Sequence, residues 1–130
     1  FAPMSRIQSD LGPLLVARQA NLVTPTVTGS LAGSSATLAW PAVAGASTYE
    51  VYVTDFDVWC DDWGGCYAHA TAVQRHVVSS PGFIDARGFL ALLPPTIPNP
   101  SLTGNYTEYR VVASNATQLE FSTKSSAVFF

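Results

Sequence analysis

From Ala36 to Val53 the chain reads ATLAWPAVAGASTYEVYV, and its apolar residues recur with the period of two that belongs to β-strands. Ala36, Leu38 and Trp40 point one way, Thr37 and Ala39 the other. After a Pro/Gly-containing bend, Tyr49, Val51 and Val53 share one face against Glu50 and Tyr52. Tyr106–Asn115, YTEYRVVASN, repeats the pattern, with Tyr109, Val111 and Ala113 alternating against Glu108, Arg110 and Val112. Such alternation marks strands with one buried face and one wet face.

These segments resemble the B, C and F strands of a fibronectin type III-like domain, an immunoglobulin-like β-sandwich. Pro41–Thr48, PAVAGAST, is similar to the B–C bend of bacterial extracellular modules of that family, where a Gly-Ala pair precedes the tyrosine opening strand C. The resemblance covers about residues 23–130 and is strongest at B, C and F. It implies an all-β, two-sheet sandwich with residues 1–22 as an N-terminal arm or short helix. Against the family pattern, Asp55–Tyr67 stands as an enlarged C–C′ loop. The family often buries a tyrosine at the start of F, and alignment on YRVVASN puts Thr107 there, with Tyr106 one residue away. The resemblance also implies a module that presents surfaces and does no chemistry itself.

Elsewhere the local signals are turn and edge signals. Asp10 is placed to cap a short helix running to Arg18, or LLVARQANLV lies extended along a sheet edge. Thr24–Thr28 reads as a first strand that Pro25 confines to an edge, followed by a Gly/Ser turn over Leu31–Ser35. Ala68–Ser79 and Pro81–Asp85 have strand character, and the proline-dense Leu92–Pro100 reads as an extended loop. A final strand within Glu120–Phe130 ends on Phe129 and Phe130, two aromatics that must be buried at home or in a neighbour.

Composition narrows the function classes. At 130 residues and 48% hydrophobic content the chain can bury a sizeable core, which argues against disorder as its general state. Only 12% of residues are charged and Lys124 is the single lysine, a profile suited to secreted β-proteins and appendage subunits. A net charge of −3 with six scattered cations argues against nucleic acid as a partner. No apolar run is long enough for a membrane-spanning helix. The chain opens on Phe1 without a signal-peptide pattern, so either a leader has been removed or the segment is excised from a longer chain. Sequons at Asn105 and Asn115 would matter only in a eukaryotic secreted protein.

The segment from Asp55 to Tyr67, DFDVWCDDWGGCY, concentrates the residues that could carry function. Cys60 and Cys66 bracket five residues that a Gly64-Gly65 turn can close into a disulfide, which suits an oxidising compartment. The competing reading is zinc bound by Cys60, Cys66, His69 and His76. Its intervals are too wide, and in a strand over 67–78 the two histidines face opposite sides. Asp55, Asp57, Asp61 and Asp62 are four of the nine acids; they are the right ligand type for Ca2+ but lack an EF-hand spacing, and otherwise form a solvated acidic loop. Asp55 and Asp57 as a glycosidase pair lack a substrate cleft. Trp59, Trp63 and Tyr67 can stack on sugar rings or anchor a protein, or else cover the end of the sandwich. No nucleophile elbow and no phosphate-cradling glycine loop occurs.

The sequence thus points to a non-catalytic, secreted or cell-surface module with no obligate cofactor, contacting a protein or glycan surface through Asp55–Tyr67. Two alternatives stand beside it. One is a self-assembling filament or sheath subunit that forms a homopolymer by strand or arm exchange. The other is an accessory module of a polysaccharide-degrading enzyme.

Overall fold

The computed structural model describes residues 21–89, 91–94, 104–115, 117 and 119–130. The described residues form eight strands and no α-helix. They are β1 (Thr28–Ala32), β2 (Ser35–Ala39), β3 (Thr48–Cys60), β4 (Cys66–Val78), β5 (Gly82–Asp85), β6 (Tyr106–Asn115), β7 (Glu120–Phe121) and β8 (Val128–Phe129). All pairings are antiparallel. One sheet runs β1-β2-β5. The other runs β4-β3-β6-β7, with β8 also on β6. Strands A, B and E on one side and C′, C, F and G on the other is the fibronectin type III-like arrangement, reached here from register alone.

The alternating segments bury the faces that their period dictates. Ala36, Leu38 and Trp40 meet Tyr49, Val51, Val53, Tyr109, Val111 and Ala113 in one core between the sheets. Trp40 and Tyr49 pack edge to face with centroids 5.4 Å apart. Phe130 enters the same core, its ring perpendicular to that of Tyr109 at 5.6 Å. Phe129 and Phe130 are therefore buried at home, and the C-terminal strand completes its own sheet.

The first strand begins at Thr28, four residues later than Pro25 and its neighbours suggest, and it enters a two-residue turn at Gly33-Ser34. Gly33 takes φ 63°, a left-handed value of the kind tight hairpins require. The last strand is interrupted between β7 and β8. There Ser122 and Ser125 lend their hydroxyls to the ladder: Ala113 N donates to Ser122 Oγ and Val111 N to Ser125 Oγ, each at 2.9 Å. Thr107 is buried at the start of β6, as the alignment on YRVVASN places it, and Tyr106 is buried beside it. All but the last two residues of the helix-or-arm segment 1–22, and most of the proline-dense loop, lie outside the described residues. Leu22 packs on the core, and its amide donates to Phe121 O.

Candidate functional site

Asp55–Tyr67 is not a loop. Strands β3 and β4 run thirteen residues each as one hairpin, and only Asp61–Gly65 between the cysteines turns. The dense Asp, Trp and Gly content read as loop chemistry, but cross-strand partners sustain the ladder to its end: Phe56 opposite Ala70, Val58 opposite Ala68, Trp59 opposite Tyr67 and Cys60 opposite Cys66. Strand β6 supports β3 only as far as Phe56, which stacks on Tyr106 at 4.9 Å. Beyond that point the two-stranded ribbon projects past the sheet. Asn105 tethers its base by accepting from Val58 N at 3.0 Å.

A bulge sets which side chains share a face. The register shifts at Asp55/Phe56, leaving Thr71 of β4 as the extra residue. An extra residue reverses the alternation, so His69 and His76 lie on the same side of the sheet rather than on opposite sides. They remain far apart along β4: His69 meets Trp59 at the tip, and His76 meets Phe83 at 5.0 Å near the core. The same reversal gathers Asp57, Trp59, Tyr67 and His69 on one face of the ribbon.

The tip is held covalently and by a turn. Cys60 and Cys66 form a disulfide between directly opposed strand positions, with Cα atoms 4.0 Å apart, so both thiols are consumed in that bond. Asp61 Oδ1 accepts from Trp63 N and Gly65 N at 3.0 and 2.9 Å, and Gly64 supplies a positive φ of 83°. Trp63 rides on this turn at 94% exposure. Trp59 and Tyr67, 56% and 52% exposed, stack with centroids 6.1 Å apart and planes 29° from parallel. None of the three covers the end of the sandwich.

The four acids of the segment do not converge. Asp61 is committed to the turn, Asp57 lies on the ribbon face, and Asp62 is exposed. Asp55 turns inward and accepts from Arg87 at 2.7 Å and Thr107 at 2.8 Å. Among the described residues no three acid, histidine or cysteine side chains are grouped as metal ligands. The asparagines of both sequons are engaged, Asn105 as above and Asn115 by donating to Gly45 O.

Asp55 belongs to a polar network that the linear reading missed. Arg87 pairs with Asp85 through Nε and Nη2 and with Asp55 through Nη1, while Tyr109 donates to Asp85. Hydrogen bonds from Arg87 hold the Asp55 carboxyl below its ordinary range against the effect of burial. Burial works to raise Asp85, but its bonds from Arg87 and Tyr109 outweigh it and the net direction is also down. Burial, reinforced by the Asp85 carboxylate, pushes the Tyr109 phenol well up. The available signal was Asp85 itself, a charged residue on the core-facing phase of β5 with Phe83.

Fold and site define a fibronectin type III-like sandwich that carries a disulfide-clamped aromatic ribbon. No protein-family model matches the sequence, and no curated protein does. Among solved structures it is similar to the crystal structure of an Fn3-like protein from Clostridium thermocellum. The identity is 21%, the coverage 83% of this chain and 90% of that one, and the TM-score 0.45. The fold assignment accordingly rests on strand order and register.

Proposed function

We propose that this is a non-catalytic binding module of a secreted or cell-surface protein, and that its contact surface is the ribbon tip. The observation that carries this reading is the exposure of Trp59, Trp63 and Tyr67 on a ribbon beyond the core. Large aromatics are costly to leave in water, and rigid exposed ones are the side chains that anchor contacts. The disulfide supports it twice over. It pre-organises the tip, which lowers the ordering cost of binding, and such bonds persist in oxidising compartments. Sandwiches of this type seldom catalyse, although function is argued from the site and not from the fold. The filament alternative loses one support, since Phe129 and Phe130 are buried in their own domain.

The test is retention of the full chain on a panel of insoluble cell-wall polysaccharides and immobilised extracellular proteins. Wild type is expected to be retained on at least one surface. A triple Trp59→Ala, Trp63→Ala, Tyr67→Ala variant with unchanged circular dichroism should elute freely. A triple variant retained as tightly as wild type overturns the reading.

A further inference from the structure

Resting on that reading of the tip, we propose that the strip of Trp59, Tyr67, His69 and Asp57 binds neutral polysaccharide, stacking pyranose rings whose hydroxyls are equatorial. Such a sugar has a flat C–H face and a rim of hydroxyls, so its site needs an aromatic face bordered by hydrogen-bonding groups. The ribbon supplies both on one side. Trp59 and Tyr67 lie on facing strands and stack with planes 29° apart, each turning one face to the other and remaining more than half exposed to an incoming ring. His69 stands at 71° to Trp59 and borders the stacked pair with its ring nitrogens. Asp57, opposite His69 in the register, is exposed, and among the described residues its carboxylate has no hydrogen bond or ion pair. A recess beside Trp59, lined by Asp57, Val58, His69 and Thr71, leaves room for a sugar substituent.

The bordering polar groups decide between ligand classes. Beneath a protein, an unpaired carboxylate and imidazole would be desolvated, a large penalty unless the partner placed a matching group at each. A sugar ring brings a hydroxyl to every edge and satisfies them without such matching. Charge decides within the glycans. Asp57, Asp61 and Asp62 all belong to the ribbon, no lysine or arginine lies between Asp55 and Gln74, and the chain carries −3. Uronate or sulfated polymers would be repelled.

Affinity gel electrophoresis of the full chain in soluble β-glucan, xylan and polygalacturonate tests this. Retardation is expected in a neutral gel and not in polygalacturonate. Trp59→Ala and Tyr67→Ala should each weaken it about tenfold or more, and Asp57→Ala by a smaller factor. Ile84→Ala, an exposed apolar position on β5 of the other sheet, should leave it nearly unchanged. The exposed positions make these variants tolerable to the fold, and near-ultraviolet dichroism checks it. Absence of retardation in every neutral gel, or retardation unchanged in Trp59→Ala, overturns the inference. If the glycans fail while the triple aromatic variant still loses retention on a protein surface, the inference falls and the binding-module reading stands. If that variant binds every surface as wild type does, both fall.

Discussion

Tyr109 donates a 2.7 Å hydrogen bond to Asp85 across the interior, joining the middle of β6 in one sheet to the end of β5 in the other. The tyrosine is fully buried and the carboxylate nearly so. Arg87 then carries the connection back to the first sheet by gripping Asp85 and Asp55 together. A hydrophobic core can slide; this chain of directional bonds fixes one stagger of the two sheets, and with it the base of the projecting ribbon.

Removing the shared acceptor should be costly. Asp85→Ala leaves the Tyr109 hydroxyl buried without a partner and Arg87 with half its pairing. Because Arg87 is partly exposed and can recover water, the expected loss is about 2–3 kcal/mol. Tyr109→Phe removes one bond and should cost about 1–2 kcal/mol. Urea unfolding measures both. An Asp85→Ala midpoint equal to wild type would remove the network from the account of stability.

The same acids set the acid limb of the stability curve. Asp55 and Asp85 have folded pKa values below those of the unfolded chain. Protons therefore bind the unfolded chain preferentially, and the contribution is fully present above about pH 4 and lost as pH falls through the folded values. Tyr109 and Tyr106 are raised, so their contribution is full below about pH 10 and lost above it. Wild type should show a plateau between these limits. Asp85→Asn should flatten the acid limb, read as urea midpoints from pH 3 to 7. Parallel curves for the two proteins would contradict this.

The scaffold was legible because β2, β3 and β6 obey a period-two rule that depends only on which face meets water. The ribbon was not. Aspartate, tryptophan and glycine are turn and contact residues in isolation, and the ladder over Phe56–Cys60 exists because Ala70–Cys66 lies opposite. Thr71 gives no local sign that it is the bulged residue, yet it decides which face His69 shares. Arg87 and Asp55 are thirty-two positions apart, a proximity that pattern alone does not encode.

Reducing the disulfide should loosen the tip while sparing the core. Cys60 and Cys66 close a short loop, worth about 2 kcal/mol at most in chain entropy. None of the clamped residues belongs to the main cluster. A Cys60→Ser, Cys66→Ser variant should lose amide-exchange protection within residues 57–69 and keep it at Val51, Val53 and Val111. Loss of protection at those core amides would show the ribbon and the sandwich to be one cooperative unit.

The interrupted last strand depends on two hydroxyls. Ser122 and Ser125 are almost fully buried, and each accepts an amide that β7 and β8 leave unpaired. Alanine at either position strands a buried N–H, at about 1–3 kcal/mol each. Thermal unfolding of the single variants reads the cost. Near-wild-type melting of both would mean that the strand shifts to restore backbone pairing.

Gly29 tests how tightly the C-terminus is packed. It lies on the core-facing phase of β1 opposite Leu38, and a methyl group built there would sit 2.6 Å from Val128 Cγ1 and 3.2 Å from both Leu92 and Phe130. Valine is stiff at its first torsion, so Val128 cannot rotate away cheaply. Gly29→Ala should therefore destabilise by about 1–3 kcal/mol through overpacking, despite the better strand propensity of alanine. The cause is checked by making room. Val128→Ala alone costs its own cavity, but in the double variant the new methyl fills that space, and the two losses should fall short of their sum by about 0.5–3 kcal/mol. Strict additivity in that cycle would place the strain elsewhere than at the Gly29–Val128 contact.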